Sequence, residues 1–168
     1  MRRSEKEYTM NNLKYIDNLK IVLFSLDEPR YALYLSAVER IVQSVEITPL
    51  PKAPKIIMGV INFHGEIIPV LDIRKRFHLA SHDITLEDQF IIARTSNRPV
   101  ALVVDSVDGV YELRQDQVVD AEEVFPYTDY ISGVAKIETD IVLINDLDKF
   151  LSLHEERILD QALPEDVE

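Results

Sequence analysis

The residues of this chain whose types and spacing come nearest to chemistry are two pairs of acids, Asp72 with Asp146 and Asp105 with Asp108. Asp72 and Asp146 hold equivalent places in two similar segments, as the carboxylates of a duplicated acid hydrolase would, one ionised and one protonated. The DTG-like loops of such a site are missing, so an aspartate where a strand gives way to a helical turn reads as a cap for backbone N–H groups. Asp105 and Asp108, just before Gly109, suggest a calcium loop, but the remaining oxygen ligands are missing and a turn between strands is the simpler reading. His78, His82 and His154 have no metal-ligand spacing and read as surface residues, which leaves His64 as the histidine to follow. With no cysteine, disulfides, thiolate zinc sites and cysteine nucleophiles are excluded. The four glycines, 59, 65, 109 and 133, cannot write a GxGxxG or a P-loop, and no serine sits in a GxSxG turn. The expectation is a protein that is not an enzyme and holds neither metal nor cofactor.

What positions these residues is a duplicated core. The segment GVINFHGEIIPVLDIRKRF, residues 59–77, has a weaker echo 74 positions later, at 133–151. Gly59-Val60 falls on Gly133-Val134, Ile67-Ile68 on Ile141-Val142, Val70 on Ile144 and Phe77 on Leu151. Upstream, RYALYLSAVERI (30–41) lies 69 positions before PVALVVDSVDGV (99–110), with Val38 on Val107, Glu39 on Asp108 and Ile41 on Val110. The shared positions are mostly apolar or small, so a structural unit was repeated.

The 168 residues suffice for one compact domain or two small joined ones, and the net charge of −12 argues against a general nucleic-acid binder. No apolar run is long enough to span a bilayer, so a cytoplasmic protein without membrane insertion is expected. Residues 1–18 are polar and read as a disordered leader, 19–163 as one domain of two intertwined barrel subdomains, and 164–168 as an acidic tail. Short strand-like runs dominate: 20–26 and 31–35 as an opening hairpin, 59–63 and 66–73 around a turn at Asn62-Phe63-His64-Gly65, and 89–94 with 99–107 around another. The spacing of Val38, Ile41, Val42 and Val45 permits a short helix capped by Ser36, and Pro69 is expected at a strand edge or bulge. A helix closes the chain, with Leu147, Phe150, Leu151, Ile158 and Ala162 near one face and Pro164 as its stop. Many short strands, two copies and few helices predict a mostly β protein of two small barrels packed together.

Residues 59–77 resemble the signature GVxNLRGxIxPVxDLRxRF of CheW-like domains, and LVVDSVDGV (102–110) and ISGVAKIETDIVLINDLDKFL (131–151) resemble further segments of that family. The resemblance covers nearly all of residues 19–151 in order. It implies two SH3-like five-stranded barrels, no catalytic activity, and an adaptor that joins the cytoplasmic tip of chemoreceptors to the regulatory domain of a CheA-type histidine kinase, recruited to receptor arrays at the membrane. A scaffold serving a motility or gene-control kinase outside chemotaxis is the alternative within the same fold. By this resemblance Val38, Arg40, Ile41, Asn62, His64, Gly65, Val107 and Val110 fall in the segments that form a receptor-binding groove, and Val118, Val124 and Phe125 where the kinase is contacted. Plain core packing explains each aliphatic residue among them equally well.

Two places depart from the pattern. The family has an acid just before the residue at Ile41 and an arginine before Gly65; here Arg40 and His64 stand there, and Glu39 is one step back. The double change reads as coupled, which implies an altered receptor preference.

Overall fold

The computed structural model describes residues 18–27, 30–121 and 129–164. An opening hairpin, β1 (Asn18–Ser25) and β2 (Arg30–Tyr34), leads through a single 3-10 turn at Leu35–Ala37 into β3 (Val38–Gln43). The first copy of the repeated unit is the hairpin β4 (Ile57–Phe63) and β5 (Glu66–Leu71), followed by the one-turn helix α1 (Ile73–Arg76). Then come β6 (Gln89–Arg94), β7 (Pro99–Val104), β8 (Ser106–Arg114) and β9 (Val118–Asp120). The second copy is β10 (Ile131–Ile137) and β11 (Asp140–Asn145), closed by a 3-10 turn at Leu147–Lys149 and helix α2 (Leu153–Ala162). The protein is mostly β, as expected, with its strands in two sheets and a C-terminal helix.

The two halves of the chain exchange hairpins. β1 pairs antiparallel with β8 and β2 parallel with β11, so the first hairpin completes the sheet of the second copy. Reciprocally, β6 pairs antiparallel with β3 and β7 parallel with β5. The strand orders β8-β1-β2-β11-β10-β9 and β3-β6-β7-β5-β4 therefore match position by position, and a bridge from Thr48 to Val60 stands where β9 pairs in the other sheet. The repeated glycines are explained by this bridging strand. A Cβ on Gly59 would lie 2.3 Å from the Thr48 carbonyl oxygen, and one on Gly133 would lie 2.7 Å from Cγ1 of Val118. At Gly59 only hydrogen leaves room for the crossing backbone, whereas at Gly133 the close neighbour is a side chain.

Alternation along the strands supplies three apolar cores. Ile21, Leu23, Val142 and Ile144 fill one sheet, while Ile61, Ile68, Phe90 and Ile92 fill the other. A third cluster, including Phe24, Leu33, Leu71, Ile91, Phe150 and Leu159, joins the two sheets. Helix α2 seals it with Leu159, which is fully buried. Ser152 caps this helix, its Oγ accepting from the Glu155 amide at 3.1 Å while Glu155 accepts from the Ser152 amide at 2.9 Å. Arg76 donates to both Glu155 oxygens, at 2.6 and 2.8 Å, and Arg98 grips Glu156 and Asp160.

Three local expectations change. Residues 38–45 are not a helix: β3 pairs with β6, and a bulge at Glu39 makes Val38 face Ala93 and Arg40 face Ile92. The extra residue breaks the period of two, so Val38 packs on the shared core while Val42 packs inside the second sheet; such spacing imitates a helical period. The closing helix starts only at Leu153, because the 3-10 turn containing Leu147 and the cap Ser152 divide the segment. Pro69 sits inside β5 and is buried, opposite Val60, on the stretch that precedes the pairing of β5 with β7 at Val70. There a missing N–H removes no bond to the neighbouring strand.

Candidate interaction surface

The strands β3 and β8 are equivalent edges of the two sheets. Each has a valine near its start packed on the shared core, Val38 and Val107. A bulge follows in each, carrying an acid, Glu39 and Asp108. Each acid meets an arginine of its own sheet: Glu39 accepts from Arg94 of the adjacent β6 at 2.8 Å, and Asp108 lies 4.0 Å from Arg30 of β2 while also accepting from Ser25 Oγ at 2.7 Å. Beyond the bulge the next apolar residues emerge into solvent, Ile41 at 37% and Val110 at 57% exposure. Two edge strands thus present the same order of residues, and the structure brings Val38, Ile41, Val107 and Val110 to corresponding places.

The turn that follows β4 is a two-residue turn with both φ values positive, +50° at His64 and +83° at Gly65, the type I′ geometry that suits the twist of a hairpin. Asn62 stabilises it by accepting from the Gly65 amide through Oδ1 at 2.9 Å. His64 meets the ring of Phe63 edge-on at 4.3 Å, and the Arg40 guanidinium lies over the same ring at 5.8 Å. Arg40, Phe63, His64, Asn62 and Gly65 therefore form one patch, in which Phe63 links the two residues that depart from the family pattern. From β3 the surface continues into an open groove of about 510 Å³ lined by Val45, Ile47, Ile84 and Leu86, among others.

Val118 is half-buried against the core of the first sheet, while its neighbour Val119 is 45% exposed. Val124 and Phe125 lie outside the described residues. Sequence reasoning missed Val119, Ile67 (41% exposed) and Ile141 (67% exposed) as surface residues. For the last two a signal existed, since they are equivalent positions of the repeat.

The acids are structural. Arg74, only 5% exposed, donates to Asp27 at 2.8 Å and to Asp105, tying together residues far apart in sequence. Burial works to raise the Asp105 carboxyl, but the Asp27 amide, the Arg74 hydrogen bond and the charges of Arg74 and His82 outweigh it and hold the group below its usual range. His82 is more than a plain surface residue: its Nε2 is 3.5 Å from the buried Asp88, and His82, Asp88 and Asp105 place ligand atoms within 4.8 Å of one another. Asp88 is already bonded by the Thr85 amide at 2.8 Å and Asp105 by Arg74 and the Asp27 amide, so the cluster is a network of satisfied charges. Asp146 caps its turn, accepting from the Asp148 amide at 3.1 Å, whereas the Asp72 side chain makes no cap bond. Asp108 is held by Ser25, Ser106 and Arg30.

Residues 20–155 match the CheW-like domain family. The chain is 28% identical to the chemotaxis protein CheW of Treponema pallidum over 145 residues, covering 83% of this chain and 85% of that protein. Its identity to the chemotaxis protein CheW of Thermotoga maritima is also 28%, covering 81% of this chain and 89% of that one. The crystal structure of the scaffolding protein TtCheW from Thermoanaerobacter tengcongensis superposes with a TM-score of 0.75 at 31% identity, covering 82% of this chain and 94% of that one. With the exchanged hairpins, the paired edges and a match over most of its length, this chain belongs to the CheW-like domain family and is a CheW-type chemotaxis scaffold.

Proposed function

We propose that this protein is a non-enzymatic adaptor that joins chemoreceptor cytoplasmic tips to the regulatory domain of a CheA-type histidine kinase. The observation that carries this reading is the pair of equivalent edges, each with a half-buried valine, a bulged acid and an exposed aliphatic residue. Similar faces at two ends suit head-to-tail pairing with a homologous partner domain, which closes into rings. Val38, Arg40, Ile41, Asn62, His64, Gly65, Val107 and Val110 serve as the receptor-binding surface, where a helical partner needs a few apolar anchors. Val118, with Val124 and Phe125, serves the kinase. Among the described residues no helix is long and apolar enough to cross a membrane, and placement at the inner membrane face follows from binding receptors.

The test is a pull-down of purified chain with receptor-tip hairpins and with the kinase regulatory domain from the same genome. Binding to both, weakened separately by Ile41→Asp and by Val118→Asp, supports the adaptor; binding to neither overturns it.

A further inference from the structure

Arg40 lies on the edge strand of its sheet with its guanidinium over Phe63, and His64 closes against the same ring. A guanidinium drawn to an aromatic face by cation–π attraction still has N–H donors with which to meet a carboxylate bidentately. Among the described residues no acid pairs with Arg40. The nearest acid in sequence, Glu39, is turned aside by the bulge and bound to Arg94. Arg40 is thus an exposed cation beside an aromatic ring, with no carboxylate among the described residues to meet it.

The other half of the molecule sharpens the point. The positions equivalent to Arg40, Phe63 and His64 are Gly109, Ile137 and Glu138, so at these three places the second half has neither cation nor ring and carries an acid where the first has histidine. The bulge and the exposed aliphatic residue are common to both edges, whereas the pairing of Arg40 with Phe63 belongs to the first. In a protein of net charge −12 most of the surface repels an acidic partner, and a fixed arginine decides where one can land.

We infer that Arg40 is a carboxylate-recognition point, and that the partner lying along β3 is a helical segment bearing an aspartate or glutamate beside the apolar residues that meet Ile41 and the Val45–Leu86 groove. This deepens the proposed function, resting on β3 as a partner-binding edge, and assigns the acidic partner to the first half of the chain alone.

The test uses two stapled amphipathic helices with the same leucine face, one with glutamate and one with glutamine at the border of that face. Each is titrated by NMR into the full chain and into the exposed-site variants Arg40→Gln and Arg40→Lys, whose melting points are checked first. The glutamate helix should bind about 10-fold more tightly and shift the Phe63 ring and Arg40 Nε–H signals. That advantage should vanish in Arg40→Gln and survive only in part in Arg40→Lys, which keeps the charge but loses the flat fork. Equal affinity for the two helices, including no binding of either, or an advantage that survives Arg40→Gln, overturns the inference. Receptor-tip hairpins are titrated in parallel. Failure of every hairpin with discrimination between the helices intact would sink the receptor reading alone, and hairpin binding unchanged by Arg40→Gln would sink the role of Arg40 alone.

Discussion

Arg74 is the residue whose removal most directly tests how the exchanged hairpins are held. It stands on α1 after the first repeated hairpin and binds Asp27, in the loop after β1, and Asp105, between β7 and β8. One guanidinium therefore joins the turn of the first exchanged hairpin to the link that leaves the second. Arg74→Met keeps most of the apolar stem and removes the charge. The arginine side chain is 7% exposed, Asp105 28% and Asp27 54%, so the network lies between a buried and a surface ion pair. Breaking a fully buried pair costs about 3–5 kcal/mol and a surface pair about 0–1 kcal/mol, which puts this substitution near 2 kcal/mol. For a domain of this size that is a fall in Tm of about 4–8 °C. Because the folded-state pKa of Asp105 is depressed from its ordinary 3.8, its stabilisation is present above that value and is lost as pH falls through the lower folded value. Urea denaturation of parent and variant at pH 7, 5 and 4 and just below should show a constant deficit that shrinks only at the acid end. A variant as stable as the parent at pH 7, or a deficit that grows on acidification, would refute the reasoning.

Gly59→Ala drives a methyl group into the Thr48 carbonyl and should cost about 2–3 kcal/mol, whereas Gly133→Ala meets a Val118 methyl that can shift and should cost about 1 kcal/mol; urea midpoints compare the two. Leu159→Ala removes the fully buried anchor of α2 and should cost about 2–5 kcal/mol, with C-terminal proteolysis accelerated before global unfolding. Ile41→Asp and Val110→Asp change exposed positions and should alter stability by no more than about 0.5 kcal/mol while weakening receptor-tip binding in a pull-down. Arg40→Glu combined with His64→Arg should shift binding between receptor types, and unchanged binding to every tip tested would show that the two departures are neutral.

The repeat was legible because both copies solve the same packing problem. Gly59 and Gly133 admit a crossing strand, Val38 and Val107 reach one core, and Glu39 and Asp108 both fill bulges. The pairing of β1 with β8 and of β6 with β3 was not readable from those matches, because a repeat identifies equivalent strands without saying which copy supplies the neighbour. The spacing within 36–45 that also permits a helix has a specific cause, since one inserted residue turns strand alternation into an apparent helical spacing. Arg74 and its partners escaped notice because Asp27 and Asp105 are 47 and 31 residues away from it. His82 looked isolated for the same reason: the spacing between His82 and Asp105 hides a contact that the fold creates. The patch of Arg40 and His64 was found only as a pair of departures, and Phe63, the ring that joins them, carried no signal of its own.

The most direct test of the adaptor reading is calorimetric titration of the full chain against the regulatory domain of each CheA-like kinase encoded in the same genome. Micromolar binding to one of them, weakened by Val118→Asp with the melting point unchanged, is the predicted result. Absence of binding to every such domain, by a protein shown to be folded, would contradict it.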